Sequence, residues 1–178
     1  AHEFGLENVY VHAFTDGRDC DPMSGKGFIE DLQNHMKTTT GKLASIVGRY
    51  FAMDRDKRWE RVKLAYDAMV NGVGEITKHP VEAIEKSYAE GVTDEFLKPI
   101  IVSENNNLPT AKIEENDVVF CFNFRTDRGR EITEVLSQQD FPDFGMKKLN
   151  LYYVTLTNYD ESFQNVNVIF DEEVLKET

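Results

Sequence analysis

Cysteine and basic charge are scarce in this chain of 178 residues, and each shortage excludes a class of protein. The two cysteines, Cys20 and Cys121, form no CxxC pair, which excludes a disulfide framework and a cysteine-type metal site. The chain has 20 Lys and Arg against 32 Asp and Glu, and its formal net charge of −12 argues against binding to nucleic acid or to an anionic membrane surface. These shortages predict a soluble protein of the reducing cytoplasm.

Long apolar runs and the common catalytic motifs are also missing. The longest apolar run, residues 118–122, falls far below the roughly 20 residues that a membrane-spanning helix needs. The chain has no glycine-rich phosphate loop, no GxSxG nucleophile elbow and no His/Asp cluster with metal-ligand spacing. The sequence therefore predicts no membrane span and no metal site, and it offers no nucleophile.

Enough apolar material for a core is present, arranged as alternating strands and helices. Hydrophobic residues make up 40% of the chain. Short apolar runs predict four strands, at residues 9–14, 43–47, 118–122 and 149–156. Apolar residues at helical spacing predict four helices, at residues 28–36, 59–69, 80–88 and 127–138. This pattern predicts one α/β domain over residues 1–178, with a mostly parallel sheet and helices on both faces.

One segment keeps a second architecture open. Residues 100–102 and 112–113 flank a polar Asn-Asn-Asn-Leu-Pro stretch and favour a small β-hairpin or flap. An α+β domain with an antiparallel sheet is therefore the alternative to the parallel sheet.

The distribution of arginine is the strongest functional signal in the sequence. Every arginine lies directly after a predicted strand or in the helix that opens there: Arg18, Arg49, Arg55, Arg58, Arg61, Arg125, Arg128 and Arg130. The lysines are spread over the whole chain. Ligands of open α/β sheets bind beyond the carboxyl ends of the strands. The strands ending near residues 14, 47 and 122 would therefore deliver guanidinium groups to one rim.

A rim of arginines in an acidic protein favours a small anionic ligand. A guanidinium binds carboxylate or phosphate through two parallel N–H bonds and stays charged at every relevant pH. Four or five such groups exceed the need of one carboxylate and suit a phosphorylated acid. The alternative is that the arginines only pair with neighbouring acids on a solvated surface, namely Asp16, Asp19, Asp54, Asp56 and Asp127.

Asp19 is the candidate for proton transfer in this stretch. A carboxylate beside arginines stays ionised and can accept a proton from a substrate hydroxyl. A calcium loop at residues 16–21 is disfavoured, because the spacing is wrong and Arg18 would repel the metal. His12 lies inside a predicted strand and is expected to be structural. Cys20 is expected to be a bystander, because no neighbouring His could activate it.

Three motifs resemble one family of enzymes. They are VHAFTDGRD at residues 11–19, GRYFAMDRDKRWER at 48–61 and NFRTDR at 123–128. They are similar to the cofactor-independent (2,3-bisphosphoglycerate-independent) phosphoglycerate mutases, and residues 86–96 and 116–120 fit the same family. The resemblance covers essentially the whole chain, and the block at 48–61 is long and specific.

The resemblance implies one part of a two-domain metalloenzyme. In that family a phosphatase-like domain carries a serine nucleophile and two manganese ions held by Asp and His. A smaller transferase domain is inserted into it and holds the glycerate. This chain matches the inserted domain, so the phosphatase-like domain, the serine and both Mn²⁺ ions are expected outside residues 1–178. The ends are accordingly expected to be cut from a longer protein, and this chain alone is expected to be inactive.

The family's substrate residues fall on six positions already singled out by their place after strands. They are Arg18, Asp19, Arg49, Arg55, Arg125 and Arg128. The resemblance implies that the arginines hold the carboxylate and phosphate charges, and that Asp19 assists proton transfer at the glycerate hydroxyls. Arg58, Arg61 and Arg130 are expected to be helix or surface charges.

Two positions depart from the usual family pattern. Thr126 stands where the family usually has Pro, which loosens the turn between Arg125 and Arg128. Cys20 stands where a hydrophobic residue is common. Neither change removes a functional group.

The reaction implied by the resemblance interconverts 3-phosphoglycerate and 2-phosphoglycerate in glycolysis and gluconeogenesis. The serine of the other domain takes the phosphoryl group, the held glycerate turns, and its second hydroxyl takes the phosphoryl group back. The expected partners of this chain are both phosphoglycerates and the enzyme's own phosphatase-like domain. The full-length enzyme is expected to be a monomer.

Two other functions are open at the level of sequence. One is a stand-alone, non-catalytic binding module for a small phosphorylated acid. The other is a phosphopentomutase-like member of the same superfamily, which the block at 48–61 disfavours. A longer parent protein with a serine and an Asp/His metal cluster would favour the mutase, whereas a gene ending near Thr178 would favour the module.

Overall fold

The computed structural model describes residues 1–105 and 108–170, and its strands form two sheets. The strands are β1 (Tyr10–Thr15), β2 (Lys42–Gly48), β3 (Glu75–Thr77), β4 (Ile100–Val102), β5 (Val118–Cys121), β6 (Tyr152–Thr157) and β7 (Val166–Phe170). The α-helices are α1 (Gly25–Thr38), α2 (Arg49–Ala52), α3 (Trp59–Tyr66), α4 (Pro80–Ala89) and α5 (Thr126–Thr133). The last turns of two predicted helices are π-helical, Asp67–Asn71 after α3 and Glu134–Gln138 after α5.

The first sheet is mixed and the second is parallel. The first has the order β1-β2-β4-β3, with parallel pairs at both ends and an antiparallel pair, β2 and β4, in the middle. The second has the order β5-β6-β7 and is parallel throughout. The predicted α/β class with mostly parallel pairing is confirmed, although two sheets share the strands instead of one.

Helices cover both faces of the first sheet, as the apolar character of β2 predicts. Neighbouring residues of a strand point to opposite faces. Ile46 packs with Ile29 of α1 and Ile84 of α4 in one cluster. Val47, the next residue, packs with Val62 of α3 and with residues of α5 and β6 in the other. The second cluster fills the space between the two sheets.

The four predicted helices are all present, and α1 begins three residues earlier and ends two residues later than predicted. Pro80 occupies the first turn of α4, where its missing N–H costs nothing. Gly72 closes the turn after α3 with a φ of 68°, a left-handed conformation that glycine adopts without strain. No helix within residues 1–105 and 108–170 is long and apolar enough to cross a membrane.

The predicted hairpin is present only as a short turn, in which Asn105 and Leu108 form an isolated antiparallel bridge. Ile100–Val102 is β4, which lies between β2 and β3 and is buried at all three positions. After the turn Thr110 donates its N–H to the carbonyl of Val102, and Ile113 donates its N–H to the carbonyl of Met69, both at 2.8 Å, so residues 112–113 do not continue the hairpin. The middle of the polar turn, residues 106–107, lies outside the described residues.

One face of β5 is exposed, contrary to the expectation that helices cover both faces of the sheet. Val119 and Cys121 pack against the inner cluster. Val118, Phe120 and Phe122 point the other way and are 72%, 47% and 76% exposed. An apolar run shows that both faces of a strand carry apolar side chains, but it does not show what packs against each face.

Candidate functional site

Loops that follow β1, β2 and β5 meet at one edge of the molecule. Asp19, after β1, accepts hydrogen bonds from Arg49 Nη1 at 2.7 Å and from Arg125 Nη1 at 2.8 Å. Arg55 Nη1 donates to Asp127 Oδ2 at 2.9 Å. Side chains from three separate segments are therefore in direct contact. The convergence predicted from strand ends is present even though the strands belong to two sheets.

Arg49 is held rigidly because β2 delivers it directly into the first turn of α2. Its side chain is only 5% exposed, and it donates to both Asp16 and Asp19. The preceding residue, Gly48, donates its N–H to the carbonyl of Leu97 at 2.8 Å, which ties the end of β2 to the segment before β4. Backbone contact of this kind fixes where the guanidinium lies.

The close approach at Gly48 leaves no room for a side chain, so we expect Gly48→Ala to be strongly destabilising. A Cβ at this position would lie 2.5 Å from the Glu95 carbonyl oxygen and 2.6 Å from the Leu97 nitrogen, both backbone atoms that cannot turn away. Overpacking of this kind costs about 1–3 kcal/mol or more of the free energy of unfolding, measurable by urea denaturation.

Gly27→Ala is the matched control, since it lies in α1 and a Cβ there meets nothing within 4 Å. It should leave stability unchanged or raise it by about 0.5–1 kcal/mol through helix propensity. Equal stability of both variants would contradict the packing described at Gly48.

An open cavity of about 360 Å³ lies at this edge, and we call it the arginine cleft. Its lining residues are Arg18, Arg49, Tyr50, Asp54, Arg55, Asp56, Arg58, Arg61, Glu95, Phe96 and Arg128. Arg125 is joined to the cleft through Asp19, which it shares with Arg49. Positive charge therefore predominates in the cleft of a protein whose net charge is −12.

Most arginines of the cleft have acidic partners, as the alternative interpretation of the sequence proposed. The pairs are Arg49 with Asp16 and Asp19, Arg55 with Asp127, Arg58 with Asp54 and Asp56, and Arg125 with Asp19 and Asp127. Arg18 contacts Glu95 at 3.3 Å and is 63% exposed. The pairs of Arg55 and Arg125 are at least one third exposed on both sides, and solvent-exposed ion pairs of this kind are weak, so a ligand anion can compete for these two guanidinium groups.

Arg128 differs from the other arginines of the cleft. Its Nη1 donates to the carbonyl of Met53 at 2.7 Å, and among the described residues it forms no ion pair. Burial and the neighbouring charges of Arg49 and Arg55 lower the pKa of Arg128, but a guanidinium stays protonated. The cleft thus holds a guanidinium whose charge the described part of the protein does not balance with an ion pair, an arrangement that suits an anion.

The two acids that bridge these arginines are ionised at neutral pH. A hydrogen bond from Arg49, aided by the charges of Arg49 and Arg125, holds the pKa of Asp19 below its usual value. Burial raises the pKa of Asp127, but hydrogen bonds from Arg55 and Arg125 outweigh it and bring that pKa to about 2. Asp19 is therefore in the form that a proton acceptor needs.

Two further arginines stand at the arginine cleft. Arg58 and Arg61, expected to be helix or surface charges, both line the arginine cleft. The Arg61 guanidinium carbon lies 3.9 Å from the centroid of the Tyr50 ring, a cation–π contact. Their spacing of three residues at the start of α3 was the available signal, since it places both on one helix face. Arg130 lies elsewhere, where its Nε donates to the carbonyl of Tyr159 at 3.1 Å.

The remaining sequence candidates are accounted for by local contacts. His12 Nδ1 lies 2.8 Å from the Ser45 hydroxyl, and burial lowers the pKa of His12 to about 4, so it is a neutral structural residue. Cys20 is exposed, free and accepts a hydrogen bond from Ser24. Within the described ranges, no group of three or more His, Cys, Asp or Glu is placed to hold a metal ion.

The fold and the site define an α/β domain with an arginine-lined cleft at the ends of its strands. The family model described as the N-terminus of BPG-independent phosphoglycerate mutase (PGAM) matches residues 1–161. This chain belongs to that family, and the resemblance found in its motifs is confirmed.

Individual relatives agree with the family model and show how much of the protein is present. The chain is 61% identical to the 2,3-bisphosphoglycerate-independent phosphoglycerate mutase of Flavobacterium johnsoniae, over 100% of this chain and 35% of the relative. It is 48% identical to that of Clostridium tetani, again over 100% and 35%. A structure of Leishmania mexicana phosphoglycerate mutase at low cobalt concentration matches with a TM-score of 0.80 and 32% identity, over 89% of this chain and 31% of the other. The chain thus spans about a third of its relatives' length.

Proposed function

We propose that residues 1–178 form the substrate-binding, or transferase, domain of a two-domain, cofactor-independent phosphoglycerate mutase. The complete protein would be a monomeric isomerase of the cytoplasm that interconverts 3-phosphoglycerate and 2-phosphoglycerate in glycolysis and gluconeogenesis. The observation that carries the proposal is the arginine cleft, in which guanidinium groups from three loops converge and Arg128 forms no ion pair within the described residues.

The substrate-binding residues of the proposal are Arg18, Asp19, Arg49, Arg55, Arg125 and Arg128. Both phosphoglycerates carry a carboxylate and a phosphate, and each group can accept two parallel N–H bonds from a guanidinium. A cavity of about 360 Å³ lies at the small end of the range for ligand sites, which suits a three-carbon acid. The fixed guanidinium groups would hold the glycerate while it turns, so that either hydroxyl can face the phosphoryl donor.

Asp19 is the proposed proton-transfer group. The glycerate oxygen that leaves phosphorus in the first step would take the proton released by the attacking serine. In the second step ionised Asp19 would accept the proton of the attacking glycerate hydroxyl, and that proton would return to the serine oxygen as the serine is released. Arg49 and Arg125 each donate to Asp19 Oδ2, which orients the carboxylate and keeps it ionised before the substrate arrives.

The phosphoryl-transfer chemistry belongs, in this proposal, to the other domain. A serine and two Mn²⁺ ions there would supply the nucleophile and the charge neutralisation that phosphoryl transfer requires. Asp16, Asp19 and Asp127 do not fit a metal site, because they are bound to arginines whose charge would repel a cation. The chain's own contribution is therefore to bind and orient the glycerate and to move one proton.

Phosphorus NMR of a full-length protein that contains this chain tests the proposal. With 3-phosphoglycerate and Mn²⁺ we expect equilibration with 2-phosphoglycerate, whereas the 178-residue chain alone should bind the substrate without converting it. Binding by the chain with no conversion by the full-length protein would instead identify a stand-alone, non-catalytic module. If the chain does not bind 3-phosphoglycerate and the full-length protein does not convert it, the proposed function is overturned.

A further inference from the structure

Two acidic side chains are buried at the arginine cleft, and one of them, Asp54, lines it. Asp54, in the loop between α2 and α3, is 4% exposed, and Glu131, in α5, is 3% exposed. Each carboxyl group acts on the pKa of the other, lowering that of Asp54 and raising that of Glu131. Ionised carboxylates only accept hydrogen bonds, so a proton on Glu131 would relieve the contact between the two acids.

The surroundings of Asp54 show that it is the ionised partner. Its Oδ2 accepts the backbone N–H groups of Asp56 at 2.9 Å and of Arg58 at 3.0 Å. Its Oδ1 lies 3.1 Å from Arg58 Nη1 and 3.7 Å from an Arg61 nitrogen. Although burial alone would raise it, the pKa of Asp54 is lowered by these donors.

Glu131 has the opposite surroundings. Its Oε1 accepts the backbone N–H of Lys57 at 2.6 Å, while its buried Oε2 receives no donor from the described residues. Burial first, and then the neighbouring Asp54 and Glu134, raise the pKa of Glu131 to about 7. The proton of the pair therefore resides on Glu131 below neutrality.

The two bonds of Glu131 connect segments that carry substrate-binding arginines. Lys57 has a φ of 58°, an uncommon conformation for a residue other than glycine, and the bond from its N–H to Glu131 stabilises it. The loop of Lys57 contains Arg55, and the helix of Glu131 begins directly after Arg125 and includes Arg128. This contact therefore adds to the bonds from Arg55 to Asp127 and from Arg128 to Met53, which also join the Arg55 loop to α5.

We propose that Asp54 and Glu131 are positioning residues that share one proton and hold the Arg55 loop against α5, and that loss of this proton in alkaline solution loosens the arginine cleft. The part of this inference that concerns ligand affinity rests on the proposed function. Once both carboxyl groups are ionised, two buried and interacting negative charges repel each other. Arg58 and Arg61 face this pair from the Asp54 side, and Glu134 faces it from α5 and adds to the repulsion.

The same proton makes the free energy of unfolding depend on pH. The usual pKa of Glu131 is 4.5 and the folded pKa is about 7, so the folded state binds more protons between these values. Stability from this group is present below pH 4.5 and falls as the pH rises to about 7. Glu131→Gln replaces the protonated acid with an amide that donates to Asp54 at every pH, and it should remove this dependence.

Carboxyl-carbon NMR of the wild-type chain tests the pair without any ligand. We expect Glu131 to titrate with a midpoint near 7 and the amide of Lys57 to shift with the same midpoint. The Lys57 shift should vanish in Glu131→Gln and persist in Glu134→Gln, the matched control on the following turn. The shared proton would be disproved by a Glu131 titration midpoint near its usual value. It would also be disproved if the Lys57 amide shift did not change with that titration.

Sulfate binding tests the effect on the cleft, because the charge of sulfate does not change between pH 6 and pH 8.5. We expect the Kd of the wild-type chain to rise about tenfold over this interval, a change of about 1.4 kcal/mol. The Kd of the Glu131→Gln variant for sulfate should rise less than about twofold over the same pH interval. If the sulfate Kd depends on pH equally in the wild-type chain and in Glu131→Gln, the positioning role of Asp54 and Glu131 is overturned. If sulfate does not bind at all, the inferred effect on ligand affinity is overturned, while the carboxyl titration still decides whether the proton is shared and the phosphorus NMR experiment separately decides the proposed function.

Discussion

Arg128→Ala is expected to lower kcat/KM of the full-length enzyme by about 100- to 1,000-fold, the loss typical of removing one donor that faces developing negative charge. Arg128 forms no ion pair among the described residues, so its charge is available to the substrate. Its removal should cost little stability. The variant loses one hydrogen bond to Met53, and it relieves repulsion from Arg49 and Arg55.

Steady-state kinetics together with urea denaturation would measure both effects in one set of samples. Arg130→Ala is the matched control, because Arg130 lies in the same helix but contacts Tyr159 and Asp160 outside the arginine cleft. It should leave kcat/KM unchanged. Near-normal turnover in Arg128→Ala, or an equal loss in Arg130→Ala, would contradict the assignment of Arg128 to the substrate.

Asp19→Asn is expected to separate turnover from binding. Loss of a general base lowers kcat by about 100- to 10,000-fold. Affinity for 3-phosphoglycerate should be retained or increased, because Asp19 occupies Arg49 and Arg125, and its charge competes with that of the ligand. If Asp19 served only to position Arg49 and Arg125 for the ligand, its substitution would instead weaken substrate binding.

Kinetics of the full-length enzyme and calorimetric titration of the 178-residue chain would test this separation. Asp21→Asn is the control, since Asp21 is an exposed acid of the same loop whose Oδ1 accepts only the backbone N–H of Met23 among the contacts described. Normal kcat with weakened binding in Asp19→Asn would show that Asp19 positions the ligand and moves no proton.

The sequence allowed prediction of those features that depend on local pattern. The buried strand at Lys42–Gly48 followed from its continuous apolar residues, and the convergence of the arginines followed from their position after strands. Motif resemblance then identified the family, which the comparisons confirmed. The role of each arginine stays a prediction.

Features that depend on long-range pairing could not be predicted. The division into two sheets and the antiparallel pairing of β2 with β4 depend on contacts between distant segments, which periodicity does not encode. Strand β3 was missed because it has only three residues, Glu75–Thr77, and takes its structure from β4. Glu131 offered no signal, because an acid in a helix is ordinarily solvated, and only the fold places it against Asp54.

We expect the arginine cleft of this chain to bind phosphoglycerate without the other domain. An NMR titration of the 178-residue chain with 3-phosphoglycerate at low salt, with glycerol as the neutral control, would measure this. The expected result is a set of shifts that saturate and that are confined to Arg18, Arg49, Arg55, Arg125 and Arg128 and their neighbours, with none for glycerol. No shifts at millimolar 3-phosphoglycerate, or shifts centred elsewhere on the molecule, would contradict it.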